Sequence, residues 1–113
     1  MAKHNISGSK AEQATAQYLQ SEGFEIIGLN WKTKWCEIDI VAKKDKRIYF
    51  VEVKYRGSSA QGSGFDYITP KKLHQIQRAA ELWVSIHKWN GEYQLSAAEV
   101  GGDNYEVEFL EDL

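Results

Sequence analysis

The sequence predicts an α/β fold with the element order α-β-β-β-α-β-β, and three features support that prediction. Residues 35–56 form two apolar, β-branched runs joined by a short polar link, which is typical of a β-hairpin. The run 48–53 is apolar enough to belong to a sheet that is covered on both faces. Residues 9–22 and 69–88 have apolar residues at helical spacing.

Length and composition indicate an ordinary globular protein. The chain has 113 residues, enough for one domain with one core, and it is 42% hydrophobic and 27% charged. It lacks a run of about 18 apolar residues, so we expect no membrane span, and its start lacks the apolar core of a signal peptide. The one cysteine, Cys36, cannot form an internal disulfide, which predicts a reducing, cytoplasmic location and a packing role.

Charge is distributed unevenly along the chain. Residues 92–113 hold seven acids and no lysine or arginine, while residues 1–91 hold fourteen bases and nine acids. The isoelectric point near 5.9 argues against tight, non-specific binding of nucleic acid. The basic first part still leaves room for a local surface that faces phosphates. We expect the acidic C-terminal part to be a solvated edge.

The first half of the chain predicts a helix followed by a meander of three antiparallel strands. Gly23 is expected to end the helix at its C′ position. Strand 24–31 follows, and the link 32–34 leads into the hairpin of strands 35–42 and 47–56. The buried stripe of the first helix is expected to comprise Ala11, Ala14, Thr15, Tyr18 and Leu19.

The second half predicts a loop, a helix and two strands. Residues 57–66 contain three glycines and three serines, the composition of a mobile loop beside the end of a strand. Thr69 and Pro70 form a helix start, and that helix is expected to run to residue 87 or 88. Lys72 falls on the buried stripe of this helix. Its side chain is expected either to extend past the core into solvent or to bind a phosphate. Strands 93–100 and 105–110 complete the chain.

Charged residues interrupt the hairpin in a way that predicts a metal site. Because side chains alternate along a strand, Ile38 and Ile40 are expected on one face and Asp39 on the other. Glu52 and Lys54 break an apolar run, and unpaired buried charge is costly. A divalent metal held by Asp39 and Glu52, with Lys54 beside it, would provide the partners. The alternative is a solvated edge strand with a salt bridge.

The spacing of Asp39 and the tripeptide Glu52-Val53-Lys54 resembles the core of the PD-(D/E)xK nuclease superfamily, with Ile38 at the position of its proline. Over residues 11–84 the chain is similar to the YraN-like family of small bacterial proteins, which are related to archaeal Holliday junction resolvases. Ala11 and Cys36 stand where family members usually have glycine, and Gln94 and Ser96 replace an arginine and an aspartate. The matching residues are Glu12 with Tyr18-Leu19, Gly23, Asn30, Glu37-Ile38-Asp39, Phe50-Val51-Glu52-Val53-Lys54, Arg56, Ile68-Thr69-Pro70, Lys72 and Ala80.

The resemblance implies a restriction-endonuclease-like core over residues 1–113, with a mixed central β-sheet flanked by helices. It also implies a Mg²⁺ cofactor, replaceable by Mn²⁺, held by Asp39, Glu52, the carbonyl of Val53 and Glu12. Lys54 would orient the attacking water or stabilise charge on the phosphorane. For Glu12, the residues alone favour a simpler role, since a glutamate in the first turn benefits from the helix dipole.

The resemblance implies that the partner is DNA, either branched or single-stranded. It is also compatible with a protein that forms a homodimer. The phosphates of the DNA would be contacted by Arg56, Lys72, Lys71 and Lys34. Lysines in turns, such as Lys34, are however usually solvent-exposed without binding a ligand. Three functions therefore stay open. They are a metal-dependent endonuclease, a binding module that does not cleave, and a protein-interaction domain that uses the acidic C-terminal segment.

Overall fold

The computed structural model describes residues 6–57 and 64–113 and has one five-stranded mixed sheet with a helix on each face. The strand order is β1-β2-β3-β4-β5, and only β3 and β4 run parallel. The predicted element order and the mixed sheet flanked by helices are confirmed. The elements are α1 (Ile6–Ser21), β1 (Glu25–Lys32), β2 (Glu37–Lys44), β3 (Arg47–Gly57), α2 (Pro70–His87), β4 (Glu92–Gly101) and β5 (Glu106–Leu110).

Local sequence signals set the ends of these elements. Gly23 has a φ of 95° and ends α1 at its C′ position, as predicted. The N–H of Phe24 donates to the carbonyl of Leu19 at 2.9 Å, which makes this helix end a Schellman motif. Asp45 and Lys46 both have positive φ and form the two-residue turn between β2 and β3. Positive φ at both central residues is the signature of a type I′ hairpin turn, whose twist matches that of the strands.

Helix α2 connects the two parallel strands across one face of the sheet. Thr69 caps it, since its side chain accepts a hydrogen bond from the N–H of Lys72, and Pro70 occupies the first turn. A parallel pair cannot be joined by a hairpin, so the chain crosses over through this helix. Of the predicted loop 57–66, residues 58–63 lie outside the described part of the chain. No helix within the described ranges is long and apolar enough to cross a membrane.

The two faces of the sheet carry separate apolar clusters. Leu19 of α1 packs with Ile40 and Val51, while Ala80 and Trp83 of α2 pack on the other face. The prediction that Ile38 and Ile40 share a face is wrong, because Ile38 belongs to the α2 cluster and Ile40 to the α1 cluster. The break in alternation coincides with the end of the ladder between β2 and β3 at Ile40, and with a left-handed backbone at Asn30 of the neighbouring strand.

Candidate functional site

Asp39 and Glu52 lie on neighbouring strands at the point where β2 and β3 separate. The last paired residues are Ile40 and Val51, so both acids follow directly beyond the end of the ladder. Beyond the end of the ladder, the N–H of Val53 donates a hydrogen bond to Oδ2 of Asp39 at 2.8 Å. The carboxylate of Asp39 thus takes the place of a backbone carbonyl as the partner of this N–H. Strand separation therefore makes room for a carboxylate inside the sheet and supplies a backbone donor that holds it.

Three other carboxylates lie within electrostatic range of Asp39. Burial is the main reason that its pKa rises from 3.8 to about 7, and the charges of Glu52, Glu12 and Glu37 raise it further. The hydrogen bond from Val53 opposes these effects but does not outweigh them. We call Glu12, Glu37, Asp39 and Glu52 the acidic cluster. Its members come from three elements, α1, β2 and β3, so only the tertiary fold brings them together.

A lysine from α2 faces this acidic cluster. The Nζ atom of Lys72 lies 2.8 Å from Oε2 of Glu52, whose side chain is only 19% exposed. The hydrogen bond to Glu52 raises the pKa of Lys72, despite the opposing effect of burial, so the lysine stays charged. Lys72 was predicted to contact DNA phosphates, and the structure places its ammonium group on an acid of the cluster.

The other predicted cations lie at or near the surface. Lys54 is exposed, and its Nζ lies 5.7 Å from the centre of the Tyr67 ring. Lys71 is exposed next to Lys72 at the start of α2, and Lys34 is exposed in the link between β1 and β2. These three lysines are accessible to a bound polyanion.

Arg56 has protein partners that the sequence did not predict. Its guanidinium forms a salt bridge with Glu99 of β4 and donates a hydrogen bond from Nη2 to the carbonyl of Gly64 at 3.1 Å. Glu99 is 7% exposed within a buried stretch of β4. The signal that pointed to Glu52, a lone acid in an apolar run, would also have identified Glu99. Tyr67 is a second residue near this site that the sequence did not indicate.

The donor set fits a hard divalent cation, although the side chains are not arranged around one. Carboxylate oxygens are the ligands that Mg²⁺ prefers, and a buried carboxyl beside other acids favours binding of positive charge. Within residues 6–57 and 64–113, however, no three His, Cys, Asp or Glu side chains form a metal-binding group. Lys72 provides positive charge beside Glu52 instead. A metal bound at Oε2 of Glu52 would therefore compete with the ammonium group of Lys72.

Comparison with known proteins agrees with the resemblance seen in the sequence. Residues 11–104 match the uncharacterised protein family UPF0102, which is the YraN-like group. A UPF0102 protein of Flavobacterium johnsoniae is 31% identical over 118 residues, covering 99% of this chain and 96% of the relative. One from Vibrio vulnificus is 37% identical over 83 residues, covering 74% of this chain and 68% of the relative. One from Syntrophomonas wolfei is 40% identical over 77 residues, with 68% and 67% covered.

Proposed function

The chain belongs to the uncharacterised protein family UPF0102, and we propose that it is a metal-dependent DNA endonuclease that acts through the acidic cluster. The observation that supports this most is the buried carboxyl of Asp39, with a pKa near 7, held by Val53 beside Glu52 and Glu12. Strongly perturbed carboxyls are frequent at functional sites, because stability alone would not favour placing several acids together.

The roles that we assign to the residues are those that the resemblance to the nuclease superfamily implies. Asp39 and Glu52 would hold Mg²⁺ together with Glu12 and the carbonyl of Val53, and Mn²⁺ would substitute for it. The metal would polarise the scissile phosphate and lower the pKa of a bound water. Lys54, exposed and two residues beyond Glu52, would orient that water or stabilise negative charge on the phosphorane.

The surrounding cations would hold the DNA. Lys71 and Lys34 are exposed and available to phosphates, and Lys72 would turn from Glu52 to a phosphate once a metal neutralises the acid. Arg56 would act through its hydrogen bond to Gly64 rather than as a free phosphate clamp. We propose branched DNA as the substrate class, a cytoplasmic location and, as an option for the assembly, a homodimer.

The test is incubation of the purified protein with single-stranded, duplex and four-way-junction DNA in Mg²⁺, Mn²⁺ or EDTA. The proposal predicts cleavage with either metal, none with EDTA, and the fastest reaction on the junction. Cleavage of no substrate in either metal, at protein concentrations that saturate DNA binding, would leave the proposal without support.

A second candidate is a DNA-binding module of the same fold that does not cleave. The salt bridge between Lys72 and Glu52 favours it, because this ion pair neutralises one acid of the cluster without a metal. Such a module would bind DNA equally well in Mg²⁺ and in EDTA. A nuclease that uses the acidic cluster would bind more tightly when a divalent cation reduces the repulsion between its carboxylates and the phosphates.

A further inference from the structure

We propose that a groove beside α1 binds an unpaired nucleotide of the DNA substrate, an inference that rests on the proposed function. We call it the α1–β5 groove, because it lies between residues 10–18 of α1 and residues 104–107 at the start of β5. Its volume is about 580 Å³, within the range of roughly 300 to 1,000 Å³ that is usual for ligand pockets. None of the four acids of the acidic cluster lines it, and no role described above uses it.

The α1–β5 groove is open to solvent. Its ammonium and amide groups belong to exposed residues, which are Lys10, Gln13, Gln17 and Asn104. Its deeper part is lined by half-buried residues, which are Ala14, Tyr18 and Val107. A ligand from solvent can therefore reach the polar groups directly while it rests on a largely apolar base.

A tyrosine ring forms one wall of the groove. Tyr105 stacks on Tyr55 of β3, with ring centres 5.5 Å apart and ring planes at 21°. The backbone of Tyr105 has a φ of 52°, a conformation that asparagine and glycine adopt at less cost than a bulky residue. The protein keeps an aromatic side chain there despite this cost. Such a ring suits base stacking, because every base has a π-face that a tyrosine can cover.

The amide groups of the groove match an unpaired base. Gln13 and Gln17 lie on successive turns of α1, and Asn104 lies in the turn before β5 on the other side. Each amide has donors and an acceptor, so it can bind the mixed donors and acceptors of a base edge. In duplex DNA the Watson–Crick edge is occupied by the partner base, whereas an unpaired base exposes that edge and can stack on an aromatic side chain. The groove therefore favours an unpaired nucleotide over a paired one.

The local charge permits a phosphate at the groove even though the C-terminal part of the chain is acidic. Lys10 supplies an exposed ammonium group. Val107 packs on the α1 face of the sheet, so the alternating acids Glu106 and Glu108 face the opposite side. Asp103 lies in the turn beside the groove but is exposed, and salt screens its repulsion of a phosphate.

The groove and the acidic cluster lie toward the same end of the sheet. Tyr55 follows Glu52 along β3 in that direction, and Tyr55 pairs with Val100 of β4. The next residue of β4, Gly101, pairs with Glu106 at the start of β5. Neighbouring strands are spaced by about 4.8 Å, which puts β5 about 10 Å from β3. One strand of DNA advances about 3.4 Å per nucleotide, so a strand cleaved at the acidic cluster would place a nucleotide about three positions away in the groove.

The test measures the binding of a short fluorescein-labelled single strand and of a blunt duplex of the same sequence by fluorescence anisotropy. Both are titrated in Ca²⁺, which occupies such sites without supporting cleavage. Tyr105→Asn removes the ring and keeps the left-handed backbone, which asparagine tolerates. We expect its dissociation constant for the single strand to rise about tenfold, and that for the duplex to stay within about twofold of wild type.

A second variant tests the amides without touching a packed side chain. Gln13 and Gln17 are exposed and alanine is the best helix former, so the double variant Gln13→Ala, Gln17→Ala should fold like wild type. It should also weaken single-strand binding about tenfold. Lys10→Ala should reduce the salt slope of single-strand binding by about 0.7 unit. Gln20→Ala changes an exposed glutamine of α1 outside the groove, so it is the matched control and should leave both dissociation constants unchanged.

Unchanged single-strand affinity of Tyr105→Asn or of the double glutamine variant would overturn the inference while the nuclease proposal survives. An equal loss on the single strand and the duplex would overturn it too, since the groove would then contact the backbone rather than a base. If Tyr105→Asn does not melt cooperatively, the glutamine variant alone decides. The nuclease proposal fails separately, when wild type does not cleave in Mg²⁺ although the groove variants still lose single-strand affinity. Wild-type protein that binds neither DNA would overturn both proposals.

Discussion

Asp39→Asn should stabilise the protein in the absence of divalent metal, and the structure gives the size of the effect. The pKa of Asp39 is raised from 3.8 to about 7, mainly by burial. A shift of about 3 units corresponds to about 4 kcal/mol of lost stability once the folded-state carboxyl is fully ionised. Asparagine keeps an oxygen that can accept the hydrogen bond from Val53. This value is an upper bound on the gain at pH 8, because burying the polar amide of asparagine also costs free energy.

The pH dependence of the gain has a definite sign. A carboxyl with a raised folded-state pKa contributes its full stability below 3.8 and loses it as the pH rises through about 7. The difference in unfolding free energy between Asp39→Asn and wild type should thus grow from pH 4 to pH 7 and level off above pH 8. Urea-induced unfolding in EDTA at several pH values measures it. Asp103→Asn, in the exposed turn before β5, is the control and should show no such trend.

Divalent metal should narrow the difference in stability between Asp39→Asn and wild type. At a Mn²⁺ concentration one hundred times the dissociation constant, wild type should gain about 2.7 kcal/mol, and Asp39→Asn should gain almost nothing. The stabilisation of wild type should weaken below pH 7, because protons then compete for Asp39. An Asp39→Asn variant that is less stable than wild type at pH 8 in EDTA would refute this reasoning. Equal stabilisation of both proteins by Mn²⁺ would refute it too.

Two further predictions concern the lysines of the site. Lys54→Ala should abolish cleavage in a gel assay while leaving DNA affinity in Ca²⁺ nearly unchanged, and a variant that cuts at the wild-type rate would contradict the assigned role. Lys72→Met should bind Mn²⁺ more tightly by calorimetry, because no ammonium group then competes for Glu52, and it should reduce the salt slope of DNA binding by about one unit. Unchanged Mn²⁺ affinity would show that the ion pair does not obstruct the metal.

The order of elements could be predicted because the sequence marks their boundaries locally. Gly23 has the positive φ that a helix end requires, and Thr69-Pro70 starts α2 where it was expected. Regular alternation along β2 was also a local assumption, and it failed between Ile38 and Ile40. That failure coincides with the end of the ladder to β3, a property of two strands together that one strand does not encode.

The site was predictable only in part for a similar reason. Asp39 and Glu52 stand out because charge interrupts apolar strands, so their positions on neighbouring strands could be anticipated. The contact between Lys72 and Glu52 depends on how α2 lies across the sheet, and helical spacing placed Lys72 only on the correct stripe. Tyr67 has no periodic context at all, and nothing in the sequence predicted that it would lie within electrostatic range of Glu52 and Glu99.

The proposed activity is hydrolysis of DNA at the acidic cluster with a divalent metal. The most direct measurement is single-turnover cleavage of a four-way junction by wild type, Asp39→Asn and Asp103→Asn, each in Mg²⁺ and in EDTA. We predict that wild type and Asp103→Asn cut the junction in Mg²⁺ only, and that Asp39→Asn does not cut above background while remaining folded. Cleavage by Asp39→Asn at the wild-type rate, cleavage in EDTA, or a wild type that cuts in neither condition would contradict the proposal that the acidic cluster is a metal-dependent nuclease site.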